Sequence, residues 1–241
     1  MSDRYFCETP ICSDRVVLTG PEAHHLLHVM RAGPETEVVL FDGSGAEFHA
    51  VVRKVGRSDV ELTVLSRQEV DRELRVELHL GVALPKGDRQ KWLVEKAVEL
   101  GVSRLVPLAT ARGVAQPVDQ AVARLRRAVV EASKQCGRNR LMEVAAPQSW
   151  DDFVAAGGDC CRLLAHPLGR ASPVPSVLAS RRVLLAVGPE GGLTDEEVAL
   201  ATAASWQLID LGPRILRVET AALALAAIVA QRSCIAGNRQ Q

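Results

Sequence analysis

VLLAVGPEGGLTDEEVALATAASWQLIDLGPRILRVETAALAL, residues 183–225, is the stretch that decides the fold class. Two apolar runs too short for helices break into glycine-proline turns, Gly188–Pro189 and Gly212–Pro213, and each turn leads into a helical pattern. Buried strands that end in glycine-rich loops before helices place a ligand site at the carboxyl edge of a parallel sheet. Gly188, Gly191, Gly192 and Gly212 lack the Cβ that would hold a ligand off the backbone. The second loop carries Arg217, Glu219 and Thr220 to the same edge, adding a charged lip.

The alternation continues upstream as far as Arg75. RVELHLGVAL, SRLVPL and CRLLAH read as strands, DRQKWLVEKAVELG as a helix stopped by Gly101, and PVDQAVARLRRAVVEASKQCG as a long helix. Thr194 and Glu197 have the spacing of a capping box at the head of TDEEVALATAA, and an alanine-rich helix runs from near Glu219 to Arg232. This is the α/β class, a parallel sheet covered on both faces. Residues 1–70 follow another pattern. EVVLF, a DGSG turn and AEFHAVVRKV form a hairpin, DVELTVLS adds an alternating strand, and Thr19 with Glu22 marks a capped helix before AHHLLHVMR. Short strands around one helix predict a small β-barrel domain over 1–70. The polar run Ser66–Glu73 reads as a linker, and 74–241 as the α/β domain.

At 241 residues the chain has room for one large domain or two modest ones. No window reaches the roughly 18 to 20 apolar residues that span a bilayer, and the first residues lack the apolar stretch of a signal peptide. The six cysteines show neither CxxC pairing nor histidines at zinc spacing. No metal site or disulfide framework is expected, and free thiols fit a reducing, cytoplasmic setting. The net charge is zero, yet between Arg112 and Arg140 seven basic residues stand against two acidic ones. Such a local excess suits either a phosphate-bearing partner or a solvated helix face.

The glycine loops lack the GxxxxGK[ST] spacing of a P-loop, no GxGxxG follows the first strand of the α/β part, and no GxSxG elbow occurs. Nucleoside triphosphates, dinucleotides and Ser-His-Asp hydrolysis are disfavoured accordingly. The loops offer backbone amides and carbonyls rather than fixed charge, which suits a ligand with an adenine edge and a mixed-charge tail. S-adenosylmethionine is such a ligand. Its sulfonium already activates the methyl group, so catalysis needs only placement of a nucleophile and management of one proton.

GPEGGLTDEEV (188–198) and LGPRILRVETAALAL (211–225) closely resemble two motifs of the SPOUT-class methyltransferases, in particular the 16S rRNA (uracil-N3) methyltransferase family. HHLLHVMR (24–31), KWLVEKAVELGV (91–102) and EASKQCGR (131–138) agree, so the resemblance runs through nearly the whole chain in order. It implies a PUA-like N-terminal β-barrel that binds RNA and a C-terminal SPOUT domain whose chain forms a trefoil knot. True knots are essentially absent from proteins at large, so that expectation rests on the resemblance alone. It further implies a homodimer that methylates uracil N3 in the 16S rRNA of the assembled small ribosomal subunit.

The same resemblance implies that S-adenosylmethionine is held by three loops. The first contains Leu164, Ala165 and His166, the second Gly188, Pro189, Glu190 and Gly192, and the third Leu211, Gly212, Ile215 and Leu216. Thr220 and Ala221 begin the helix that closes the knot. By matched position Arg217 and Glu219 become the catalytic pair. Arg217 would hold uracil carbonyls or a phosphate, and Glu219 would position the base or take its proton. A salt bridge between the two is the alternative. Arg4, Arg31, Arg112, Gln135 and Arg138 are expected at the RNA, with a helix C-terminal charge as the other reading of Arg138. His24, His25 and His28 read as packing or RNA-contact residues, since nothing completes a metal set. The competing functions are methylation of another rRNA or tRNA base, and a non-catalytic RNA-binding assembly factor.

Overall fold

The structure, a computed structural model, describes residues 3–113, 119–156, 158–170 and 180–235. The chain separates into two compact units, Met1–Glu73 with Ser133–Leu141, and Leu74–Ala132 with Met142–Gln241.

In the N-terminal unit the strands are β1 (Arg4–Phe6), β2 (Arg15–Leu18), β3 (Glu37–Phe41), β4 (Ala46–Val55) and β5 (Val60–Glu69), ordered β1-β3-β4-β5-β2. β1 runs parallel to β3, and the other pairs are antiparallel. The hairpin turns at DGSG, where Asp42 accepts from Ser44 N at 3.0 Å and from Ile11 N at 2.9 Å. One buried cluster draws Tyr5, Leu18, Leu40, Phe48 and Leu62 from all five strands. Ala23 of α1 (Gly20–His24) and Leu26 of the π-helical turn His25–Val29 join it. A sheet whose every strand feeds one core has to curl around it, which is the small β domain that the alternating pattern predicts.

Two expectations are corrected in this unit. Thr19 occupies the N-cap position but makes no side-chain cap bond. Glu22 pairs instead with Lys134 Nζ at 3.0 Å and accepts from Phe6 N at 3.3 Å, so tertiary partners outcompete the local capping box. Nor is Ser66–Glu73 wholly a linker, because Ser66–Glu69 complete β5 opposite Ala46–His49 of β4. Those residues are polar because they face water, not because their backbone is unpaired.

The C-terminal unit is built on a parallel sheet of β6 (Glu77–Val82), β7 (Arg104–Ala109), β8 (Glu143–Val144), β10 (Cys161–Arg170), β11 (Arg182–Val187) and β12 (Gln207–Ile209). Their order is β12-β10-β11-β6-β7-β8, and β9 (Gln148–Ser149) pairs with β7. The helices are α2 (Arg89–Glu99), α3 (Asp119–Cys136), α4 (Trp150–Ala155), α5 (Asp195–Ala203) and α6 (Val218–Ile235). The last turn of α3 belongs to the N-terminal unit, and its expected start at Pro117 lies outside the described residues. Helix α2 ends at Leu100, with Gly101 at φ +82 supplying the left-handed stop. Strands β8 and β9 and helix α4 escape a periodicity reading because each is shorter than the window that reveals a period.

Leu164, Leu184 and Ala186 pack with Trp150, Phe153 and Trp206 on one face of this sheet. The intervening Leu163, Val183 and Leu185 are fully buried on the other, where α6 lies along β6, β10 and β11. Truncating one such leucine to alanine costs about 2–5 kcal/mol. Both tryptophans satisfy their indole N–H, Trp150 on Glu197 O at 3.0 Å and Trp206 on Val154 O at 3.2 Å. Gly81 interrupts β6 for a steric reason: a Cβ there would lie 2.4 Å from the Phe153 ring.

Candidate active site

Strands β12, β10 and β11 are neighbours and parallel, so their carboxyl ends meet at one edge. Ala165–Pro167 within β10, where its pairing with β12 shifts register, the loop from Gly188 into α5, and the loop from Asp210 into α6 together line a pocket of about 450 Å³. Small-ligand sites typically occupy roughly 300–1,000 Å³. Of the residues expected at the cofactor, Ala165, His166, Gly188, Pro189, Glu190, Gly192, Leu211, Gly212, Ile215, Leu216 and Ala221 line it. Leu164 does not, being fully buried in the core beneath, and exposed Thr220 stands outside the lining. Val187, Leu193, Asp210, Pro213, Arg214 and Val218 complete the wall and were passed over in the sequence, although they lie within or beside the same two glycine loops.

The β11–α5 loop is held from several sides. Thr194 Oγ1 accepts from Glu197 N at 3.2 Å and Glu197 Oε2 accepts from Thr194 N at 2.8 Å, which completes the capping box read from sequence. Glu197 Oε1 also accepts from Ala111 N at 2.8 Å. Arg112, expected at the RNA, donates to Gly191 O at 3.1 Å. Gly188 is small for an unexpected reason, since a Cβ there would lie 2.8 Å from Leu193 Cγ. The loop's own leucine, rather than a ligand, takes that space. Gly192 and Gly212, at φ +72 and +106, adopt the left-handed backbone that residues with a Cβ rarely take.

Arg89, in the first turn of α2, joins two carboxylates and was missed in the sequence. Its Nη1 donates to Glu190 Oε1 at 2.7 Å and lies 3.6 Å from Glu219 Oε1. The Arg89 hydrogen bond, aided by the charges of Arg89, Lys86 and Arg217, holds the Glu190 carboxyl below the usual glutamate range. Glu219 is only 5% exposed, and its Oε2 has no hydrogen-bond partner among the described residues. The N-terminus of α6 favours a carboxylate there. An unsatisfied buried oxygen costs about 1–3 kcal/mol, and neither Glu219 nor Arg217 is among the residues that line the pocket, although their neighbour Val218 is. Arg217 differs in having an exposed side chain, while its carbonyl accepts from Ala221 N at 2.9 Å as α6 begins. The ion-pair partner of Glu219 is therefore Arg89, which corrects the salt bridge considered with Arg217. Burial lowers the His166 pKa, partly offset by Asp195. Its Nδ1 accepts from Leu168 N at 3.2 Å, which leaves Nε2 as the protonated nitrogen of a neutral ring.

The expected RNA residues separate by burial. Arg138 has a side chain 4% exposed, with Nε on Glu73 Oε1 at 3.0 Å and Nη2 on the other oxygen. Arg4 Nη1 donates to Glu47 Oε2 at 2.9 Å, and the guanidinium lies 5.1 Å from the Phe41 ring centre. Burial raises the Glu47 pKa, but hydrogen bonds from Arg4 and Arg72 outweigh it and the net shift is downward. Guanidiniums paired with carboxylates of their own unit have fewer donors left for a phosphate, so the geometry at Arg4 and Arg138 favours a structural role beside the expected RNA contact. Arg31, at the left-handed φ of 55, and Gln135 are exposed. His24 and His28 are exposed with ring centres 4.7 Å apart, while His25 packs 5.9 Å from Tyr5. Among the described residues no group of three or more His, Cys, Asp or Glu could hold a metal ion, and no helix is long and apolar enough to cross a membrane.

The RNA methyltransferase domain family matches residues 72–230, and the RNA methyltransferase PUA domain family matches residues 18–65. The chain is 30% identical over 236 residues to ribosomal RNA small subunit methyltransferase E of Bacillus subtilis, covering 92% of each chain. It is 35% identical over 221 residues to the protein of the same name from Synechocystis, covering 88% of this chain and 72% of that one. In three dimensions it is similar to ribosomal RNA small subunit methyltransferase E from Neisseria gonorrhoeae bound to S-adenosyl methionine. That likeness has a TM-score of 0.88 at 28% identity and covers 96% of this chain and 98% of the other.

Proposed function

Because the chain belongs to the RNA methyltransferase family, we propose that it transfers a methyl group from S-adenosylmethionine to N3 of a uracil in 16S rRNA of the small ribosomal subunit. The observation that carries this reading is the pocket formed by two loops and a segment of β10, in a chain whose fold is similar to that of a relative bound to S-adenosyl methionine. The pocket suits that cofactor: Leu211, Ile215 and Leu216 offer apolar and backbone surface to adenine, and Asp210 and Glu190 offer negative charge to a cationic tail. When bound, S-adenosylmethionine supplies a methyl group already activated by its sulfonium and leaves as S-adenosylhomocysteine.

The residues of the chain then have two tasks. One is orientation of the acceptor nitrogen toward the methyl carbon. The other is disposal of the N3 proton. Uracil N3–H is far less acidic than a carboxylic acid, so Glu219 Oε2 takes that proton only as the uracil anion is stabilised. Arg217 at the exposed lip and Arg89 beside Glu219 are the cations placed to do so. Arg31, Gln135 and the exposed face of Arg112 serve as RNA contacts, and the PUA-like unit carries much of that surface. The chain works as a cytoplasmic homodimer on the assembled subunit. A segment of β10 and the loops after β11 and β12, which converge on one pocket, support a knotted trace like that of SPOUT proteins.

Mass spectrometry of small-subunit rRNA from cells with and without the protein tests the reading. N3-methyluridine is expected to disappear on deletion and return with the wild-type protein, but not with Glu219→Ala. Persistence of the modification after deletion refutes the assignment.

A further inference from the structure

The carboxyl edge of the sheet continues past the cofactor pocket to β6 and β7, and there it holds a second cleft of about 60 Å³. Pro85 and Lys86 follow β6, Gly113 follows β7, and Glu190 and Val218 are shared with the larger pocket. The β6 side is rigid. Buried Gln90 donates Nε2 to Pro85 O at 2.7 Å, Gly87 at φ +67 accepts from Gln90 N at 3.2 Å, and Ala83 N donates to Val187 O at 3.1 Å. Lys86 stands exposed at the mouth.

We propose that this cleft is the acceptor subsite, taking a single pyrimidine ring against Pro85 and Val218 with its phosphate at Lys86. Arg89 is the positioning residue that holds Glu190, which lines both pockets, and pairs with buried Glu219 beside Val218 of their shared wall. The inference rests on the methyltransferase reading and deepens it. Shared walls bring acceptor and methyl donor side by side, as a direct transfer requires. At about 10–15 Å³ per water position, the cleft has room for about four to six waters, which is the scale of a single nucleobase. Pro85 and Val218 offer apolar contact to the ring, and one cation waits where a phosphate would follow. The third element is Arg89, whose Nη1 is 2.7 Å from Glu190 and 3.6 Å from Glu219. Without it, the two carboxylates would repel each other beside the wall that the pockets share. With it, Glu219, next in sequence to Val218 of that wall, keeps one buried oxygen unpartnered among the described residues.

Methyl transfer to small subunits that lack the modification tests this, with S-adenosylhomocysteine binding measured by calorimetry on the same proteins. Lys86→Glu is expected to raise KM for subunits about tenfold while kcat and the S-adenosylhomocysteine Kd stay within about twofold. Arg89→Ala is expected to lower kcat about 100-fold with a far smaller change in that Kd, and Arg89→Lys to recover part of kcat. If both variants keep normal KM and kcat while binding S-adenosylhomocysteine, the subsite is overturned. If Arg89→Ala loses turnover only in proportion to S-adenosylhomocysteine affinity, Arg89 belongs to the cofactor pocket and the assignment also falls. Failure of the wild-type protein to bind S-adenosylhomocysteine would instead bring down the methyltransferase reading beneath it.

Discussion

The two glycine loops of the pocket are built to opposite mechanical standards. The β11–α5 loop is tied to its helix by a capping box, to Ala111 through Glu197, to Arg112 through the Gly191 carbonyl, and to α2 through Arg89 and Glu190. The β12–α6 loop is held, among the described residues, by Gly212 N to Asp210 Oδ1 at 2.9 Å within itself and, at its far end, by the Arg217 carbonyl, which accepts from Ala221 N of α6 at 2.9 Å. Ile215 there is fully exposed, and Pro213 and Arg214 face solvent. One wall is finished before any ligand arrives, while the other presents apolar side chains that only a ligand or a partner would cover. Such a division keeps the cofactor's position defined on one side and lets it enter and leave on the other.

The sharpest way to break this contrast is Glu197→Ala, which leaves the amides of Thr194 and Ala111 without their partner. The expected cost is about 2–3 kcal/mol, read as a lower Tm, with weakened S-adenosylhomocysteine binding as the rigid wall loosens. Ile215→Ala should leave the Tm of the free protein unchanged and raise the Kd for S-adenosylhomocysteine about three- to tenfold, because its methyl groups gain cover only in the complex. A fall in the Tm of the free protein would show that the soft wall is already packed. Arg112→Ala removes the hydrogen bonds from Nη1 to Gly191 O and Leu193 O at an exposed site, so about 1 kcal/mol of loop stability is expected to go and S-adenosylhomocysteine to bind a few-fold more weakly. An increase in KM for RNA with unchanged S-adenosylhomocysteine binding would return Arg112 to the RNA instead. The smallest effect concerns pH. Because burial lowers the His166 pKa, the unfolded chain takes up the proton more readily than the folded one. The resulting destabilisation is absent above the ordinary imidazole range and grows as pH falls from there to the lowered folded value. His166→Gln should flatten that part of a stability-versus-pH profile.

The strands and glycine loops that make the pocket were legible because their signals are local, with apolar runs ending in Gly-Pro and Thr194 three residues before Glu197. The strand order was not, since placing β10 between β11 and β12 depends on pairings between segments far apart in sequence. Arg89 shows the same limit inside the site. Its carboxylate partners lie more than a hundred residues downstream, and nothing in DRQKW marks it. Arg4 and Arg138 show the limit from the other side. Matched positions place an arginine at the RNA, yet burial against Glu47 and Glu73 sets what each guanidinium meets in the folded chain, and burial cannot be read from residue type. Gly188 was placed correctly at the pocket but for a different cause, because the atom that a Cβ would strike belongs to Leu193.

Amide hydrogen exchange with and without saturating S-adenosylhomocysteine tests the central claim that these loops form a cofactor site with one preformed and one adaptable wall. The expected result is strong slowing confined to residues 210–217, with residues 190–197 already slow in the free protein and little changed. Equal slowing of both loops, or none at 210–217, would contradict it.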